Sequence, residues 1–363
     1  MSFVTKRGWP ARVGLAAALA LYALPHAFAQ DRAPTKPAIA GFIDMQTITW
    51  HNADDGKPNF TLDNIRKFPG LFGGIVLNAT WAEMQRHPDA DRALTTARLD
   101  RALNQVRRYN AAHPAAPLGV KLRIFSGNQA PPWAKAINGG PLLIKRNPQG
   151  CPSLPSQPCP ITIGKVWDPQ YIAAWRAFQQ RAAALYDSDP LIRSVAITSC
   201  TMQTDEPFVM PIKQKPPQGY TNAKGKACLR GAVDDYAAWR RTPIDFTFNA
   251  FLPINPRGQS DPKFSISVMN ACRAKLGARC ELGNHALAAN MVNPNLAIVQ
   301  AIAARGAPIH YQTVGPKLIT SWPATVEAAR RYKATALELW PNGFTTLTRA
   351  QMRHLFVIFN RND

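Results

Sequence analysis

Gly119-Val120-Lys121-Leu122-Arg123-Ile124-Phe125 alternates apolar side chains with cations. Along an extended strand, successive side chains face opposite sides. Val120, Leu122 and Ile124 therefore share one face, and Lys121 and Arg123 share the other. Buried charge is costly unless it is paired, so this strand calls for acidic partners on its neighbours. Ile244–Phe251 sets Phe246 and Phe248 against Asp245, Thr247 and Asn249, and Thr335–Trp340 sets Leu337 and Leu339 against Glu338. Apolar faces of this kind suit a layer of helices, and the polar faces suit the inside of a barrel.

Five further strands are expected at Ile39–Asp44, Gly74–Ala79, Ser194–Cys200, Cys280–Leu287 and Ile309–Val314. Helical periodicity fills the intervals. Arg98–Asn110 aligns Leu99, Ala102, Leu103, Val106 and Tyr109 on one face. Asp168-Pro169 reads as an N-cap followed by proline at N1, ahead of Ile172, Trp175, Phe178 and Leu185. Helices also run through Asn295–Ala304 and Pro323–Tyr332, and Thr348-Arg349-Ala350-Gln351 is a capping-box pattern. Eight alternations predict an α/β fold, a single-domain (β/α)8 TIM barrel. A doubly wound sheet would carry a glycine-rich turn after its first strand, and Asp44-Met45-Gln46-Thr47 is not one. The long connections, Gly127–Trp167 and Thr201–Lys226, follow strands, and a barrel builds its active site from such loops.

The mature fold is expected to begin after a targeting segment. Lys6, Arg7 and Arg12 precede an apolar run, Val13 to Leu24, and Ala27-Phe28-Ala29 offers small residues for cleavage. The run is shorter than the roughly 20 residues that span a bilayer. Residues 1–29 thus read as a signal peptide, 30–37 as a flexible linker and 38–363 as the catalytic barrel, secreted or periplasmic and without a stable membrane anchor. The composition, 46% hydrophobic and 18% charged, excludes a disordered chain. Removing the three basic residues leaves +18 of the net +21. That excess favours acidic surfaces or polyanionic substrates. Dispersed cations and the export pattern argue against nucleic acid. Six cysteines fall as near neighbours, Cys151 with Cys159, Cys200 with Cys228 and Cys272 with Cys280, and these local disulfides are expected among fifteen possible pairings. With no CxxC and no paired histidines, no metal and no cofactor is expected.

Strand four runs into Thr204-Asp205-Glu206-Pro207, and strand eight carries Ala336-Leu337-Glu338-Leu339-Trp340. Two carboxyls at strand ends suit glycoside hydrolysis, one as proton donor and one as nucleophile or base. Here the chain resembles the (β/α)8 glycoside hydrolases of the retaining group that carries its acid/base in an Asn-Glu-Pro motif after strand four. The matching segment is Asp205-Glu206-Pro207, with aspartate in the asparagine position. The resemblance implies Glu206 as acid/base and Glu338 as nucleophile, with Trp340 as a sugar-stacking aromatic. That group carries its nucleophile on strand seven. Glu338 matches this position if Cys280–Leu287 is not a barrel strand. Asp44, Asn78, Trp81, Arg123, Asp205, Asn249, Gln312 and Trp340 are the candidate substrate-binding residues. The expected activity is cleavage of O-glycosidic bonds in a poly- or oligosaccharide. A catalytically silent carbohydrate-binding barrel and a hydrolase of another type are the alternatives.

Overall fold

The computed structural model describes residues 1, 34–46, 60–89, 91–145, 160–202, 205–206 and 215–361. The chain divides into two compact units, 1–32 and 33–363. The second holds eight parallel strands: β1 (Gly41–Asp44), β2 (Phe72–Thr80), β3 (Gly119–Phe125), β4 (Ile192–Ala196), β5 (Ile244–Thr247), β6 (Cys280–Leu287), β7 (Ile309–Thr313) and β8 (Ala336–Leu339). Each pairs with its sequence neighbours, and β8 pairs with β1 to close the barrel. Parallel strands require a return path, and the amphipathic helices supply it. The expected signal peptide and the Cys151–Cys159 pair fall on residues outside those described.

Alternation along the strands sorts the core into two layers. Phe42, Ile75, Leu77, Val120, Leu122, Phe246, Leu282, Tyr311, Leu337 and Leu339 pack outward against the helices. Inside, a small apolar floor gathers Ile39, Ile43, Val76 and Ala336. Gly283 permits close approach between β6 and β7, since a Cβ there would lie 2.2 Å from His310 O. The Cys280–Leu287 segment pairs with both β5 and β7 in the closed barrel, so Glu338 stands on strand eight and not at the strand-seven position that the resembled group uses for its nucleophile.

Helix signals in the sequence are realised locally. Asp168 Oδ1 accepts from Gln170 N at 2.9 Å ahead of the helix Pro169–Tyr186. Thr348 and Gln351 form a reciprocal capping box on Arg349–Asn360. Leu185, however, is exposed; the buried stripe runs through Tyr171, Trp175, Phe178, Ala182 and Tyr186, which follows the 3.6-residue period more closely. Long connections after β3 and β4 carry extra structure. An antiparallel hairpin pairs Leu142–Lys145 with Pro160–Ile163. Disulfides join Cys200 to Cys228 and Cys272 to Cys280.

The end of the expected flexible linker is docked instead. Lys36 is buried under the barrel, its ammonium donating to Asp189 O (2.6 Å), Ile192 O (2.8 Å) and Thr242 Oγ1 (2.8 Å). Three acceptors repay much of its desolvation, although burial still lowers its pKa to about 8. This anchor sets Ile39 into the barrel floor.

Candidate active site

The interior above the floor is ionic. Lys121 and Arg123 point inward from β3, as the alternation requires. The Lys121 ammonium touches the carboxylates of Asp245 on β5 and Glu338 on β8. Arg123 Nη2 donates to Glu338 Oε2 at 2.8 Å, and its Nε lies 2.6 Å from Asp205 Oδ2. Thr247 Oγ1 donates to Asp245 Oδ1 at 3.0 Å. Burial raises the carboxyl pKa of Glu338, but Lys121 and Arg123, followed by His285, overcome it and hold the group well below the usual carboxylate range. Burial likewise opposes the charges of Lys121 and Arg123, and the carboxylates around them win, so both proton affinities rise.

The outer end of this network reaches the mouth. The β3 and β4 ends are locked together where Ser126 Oγ donates to Thr198 O at 2.6 Å. Gly127 then packs against the loop after β4: it has φ +52°, and a Cβ there would meet Met202 O at 2.4 Å. Asp205 and Glu206 follow on that loop. Glu206 Oε1 accepts from Asn249 Nδ2 at 2.7 Å and lies 3.5 Å from His285 Nδ1; its side chain is 24% exposed, against 1% for Glu338. His285 Nε2 lies 3.6 Å from Asp205 Oδ2. Burial lowers the imidazole pKa, but Asp205, Glu206 and Glu338 together raise it.

A second buried cluster lies deeper. Asp245, Glu281 and His310 bring ligand-type atoms within 4.8 Å of one another, a donor set with metal-binding chemistry. Lys121 already neutralises Asp245, Ser194 Oγ donates to Glu281, and His310 Nδ1 lies 3.3 Å from Glu281 Oε2. Burial raises the Glu281 carboxyl pKa.

The expected binding residues separate into two groups. Arg123, Asp205, Asn249 and Gln312 converge on the two glutamates, with Gln312 level with Glu338 in the β7–β8 register. Asn78 is level with Arg123 on β2, and its amide atoms, like Arg123 Nη1, are buried with no hydrogen-bond partner among the described residues. Trp340 is half-buried, with its Nε1 donating to Thr313 O at 2.9 Å. Trp81 is not at the mouth: it is fully buried among Trp133, Tyr171, Trp175 and Phe178, with ring centroids 5.1–5.8 Å away. Asp44 is buried as well, on the face of β1 that it shares with Phe42. It accepts from Gln46 N (2.9 Å), Gln46 Nε2 (2.6 Å) and Asn64 Nδ2 (3.3 Å), and burial raises its pKa to about 6.

Two side chains of the buried interior, His285 and Glu281, were not anticipated. Strict alternation along Cys280-Glu281-Leu282-Gly283-Asn284-His285 would have put both inside the barrel.

No protein-family model matches the chain, and no curated protein sequence matches it. Solved structures do. The catalytic domain of β-amylase from Paenibacillus polymyxa superimposes with a TM-score of 0.54 at 10% identity, over 91% of this chain and all of that one. A trimodular endoglucanase of subfamily 4 of glycoside hydrolase family 5 gives 0.53 at 10% identity, and the tri-modular endo-β-1,4-glucanase B of Bacillus halodurans gives 0.50 at 9%. These cover 90% and 88% of this chain, which spans 61% and 59% of theirs. At such identities the likeness establishes the fold: this chain is a (β/α)8 barrel similar to those of glycoside hydrolases.

Proposed function

We propose that the protein is an exported glycoside hydrolase acting on a poly- or oligosaccharide. Residues 38–363 form its catalytic domain and 1–29 its signal peptide. The observation that carries the reading is that Arg123 contacts both Asp205 and Glu338, joining the loop after β4 and strand β8 in one interior site. Two functionally distinct carboxyls at that site match the requirement of glycosidic cleavage. Glu206, at the open end, protonates the departing glycosidic oxygen. Glu338, kept ionised by Lys121 and Arg123, attacks the anomeric carbon. Glu206 then takes the proton from the incoming water. The unpartnered amide of Asn78 and Nη1 of Arg123 supply donors for sugar hydroxyls. Two disulfides suit an oxidising compartment.

One observation favours a second reading, a barrel that binds glycan without cleaving it: Glu338 is almost wholly buried, and both of its oxygens are held by cations. Aryl glycosides and cell-wall glycans separate the two. Under the enzymatic reading, Glu206→Gln lowers turnover of glycans about 10²- to 10⁴-fold while binding persists. Glu338→Ala abolishes it, and added azide restores cleavage of activated aryl glycosides as a glycosyl azide of opposite anomeric configuration. Undiminished turnover in Glu338→Ala would reject the nucleophile, and glycan binding with no turnover in any form of the protein would favour the silent barrel.

A further inference from the structure

Asp205 and Glu206 put two carboxyl groups on adjacent residues, and two negative charges meet there whenever Glu206 has given up its proton. Like charges so close destabilise one another unless a cation stands between them. Arg123 serves Asp205 and Glu338. His285 faces both members of the pair, with Nε2 3.6 Å from Asp205 Oδ2 and Nδ1 3.5 Å from Glu206 Oε1. A neutral imidazole has one N–H, so one of these approaches would set a nitrogen lone pair against a carboxylate oxygen. A ring protonated at both nitrogens turns an N–H toward each carboxylate and sets its positive charge between them, the Nε2 side at ion-pair distance without a hydrogen bond. Its backbone is fixed as well: His285 N donates to Asn249 Oδ1 at 3.2 Å, and Asn249 Nδ2 donates to Glu206 Oε1 at 2.7 Å. Strands β5 and β6 thereby close a ring of contacts around Glu206.

We propose that His285 is the positioning residue of the Asp205–Glu206 pair, an imidazolium clamp that allows an aspartate to precede the acid/base. The proposal rests on the reading of Glu206 as that acid/base. Among the described residues, the charged groups around the ring are Asp205 and Glu206 from the loop after β4, Glu338 from β8 and, behind Asp205, Arg123 from β3; Asn249 contributes no charge. The carboxylates raise the imidazole pKa against the effect of burial. The clamp is therefore complete below the ordinary histidine value of about 6.5, and it is lost as pH rises through the higher folded-state value. Above that point Asp205 faces Glu206 across a neutral ring, so the alkaline limb of the activity profile includes the titration of His285.

The test is an imidazole ¹⁵N NMR titration of the full chain, with His285 assigned by loss of its signal in His285→Gln. His285 should titrate above the ordinary value and fall by about one pH unit in Asp205→Asn, with a smaller fall in Glu206→Gln. In kinetics, His285→Gln should lose about tenfold to a hundredfold in kcat with little change in KM. Adding Asp205→Asn should recover part of that loss, because the second carboxylate no longer needs a cation. A His285 that titrates at or below the ordinary value and ignores Asp205→Asn overturns the proposal. A shifted His285 in a protein that cleaves no glycoside would retain the clamp and reject the hydrolase reading; cleavage with an unshifted His285 would do the reverse. If His285→Gln does not fold, loss of the same signal in His285→Asn gives the assignment.

Discussion

Lys121 is the residue on which the interior charge balance turns, because it serves Asp245 and Glu338 at once. Replacing it with methionine keeps the volume but strands two buried anions. Lys121→Met should cost about 3–5 kcal/mol in urea unfolding at pH 7. Glu338→Gln should cost less, since Lys121 keeps Asp245 and Arg123 keeps Asp205. The opposite order would show that the ammonium is not the node of the network. Lys121, Arg123, Asp245 and Glu338 were legible in the sequence because each interrupts an apolar strand at the two-residue period. Glu281 and His285 were harder to see, because Asn284 interrupts the apolar face of their strand and Gly283 leaves a gap between them on the polar one. Trp81 misled for a different reason. It follows a strand end, where mouth residues lie, but Thr80 and Glu83 form a capping box that starts a helix at Trp81 at once. The indole is thereby carried into the helix layer, where its Nε1 donates to Gln85 Oε1 at 2.9 Å.

At the scale of elements, the two disulfides brace different spans. Cys200–Cys228 closes a separation of 28 residues around the loop after β4, and Cys272–Cys280 closes 8 between a helix and β6. Cross-link entropy grows with the logarithm of loop length, so losing the first should cost about 1 kcal/mol more than losing the second. Paired serine variants compared by urea midpoint would measure the difference; equal losses would mean that native packing, not chain entropy, sets their value. Element positions were largely readable: β3 and β6 match their expected bounds, while β4 ends at Ala196 and β5 at Thr247, short of expectation. The shortening has a local cause. Past Ala196 the backbone leaves the ladder for side-chain partners: Thr198 N donates to Tyr236 OH at 2.8 Å, and Ser126 Oγ donates to Thr198 O. Such exchanges depend on residues distant in sequence, which periodicity does not register.

Across the whole molecule, charge is sorted by depth. Four carboxylates, Asp205, Asp245, Glu281 and Glu338, are buried in the interior beside Lys121 and Arg123. The inside therefore withdraws more acid than fixed base from a chain of net charge +21, and the outside is left more basic than composition alone implies. Binding to an acidic polysaccharide such as polygalacturonate should weaken by about tenfold or more between 50 mM and 500 mM salt, as a screened long-range attraction does. Binding to a neutral β-glucan should not change. Salt-insensitive binding to both would remove charge as a selector of substrate.

The seal beneath the barrel is made by chain that precedes its first strand. Ile39 completes the apolar floor, and its carbonyl lies 3.2 Å from His310 Nε2. Lys36 ties the same few residues to the underside of β4 and β5. They act as a cork, pulled from below and fitted from within. A protease that trims this end past Lys36 would uncork the interior, wet the histidine above it and loosen the active site from the far side without touching one residue at its mouth.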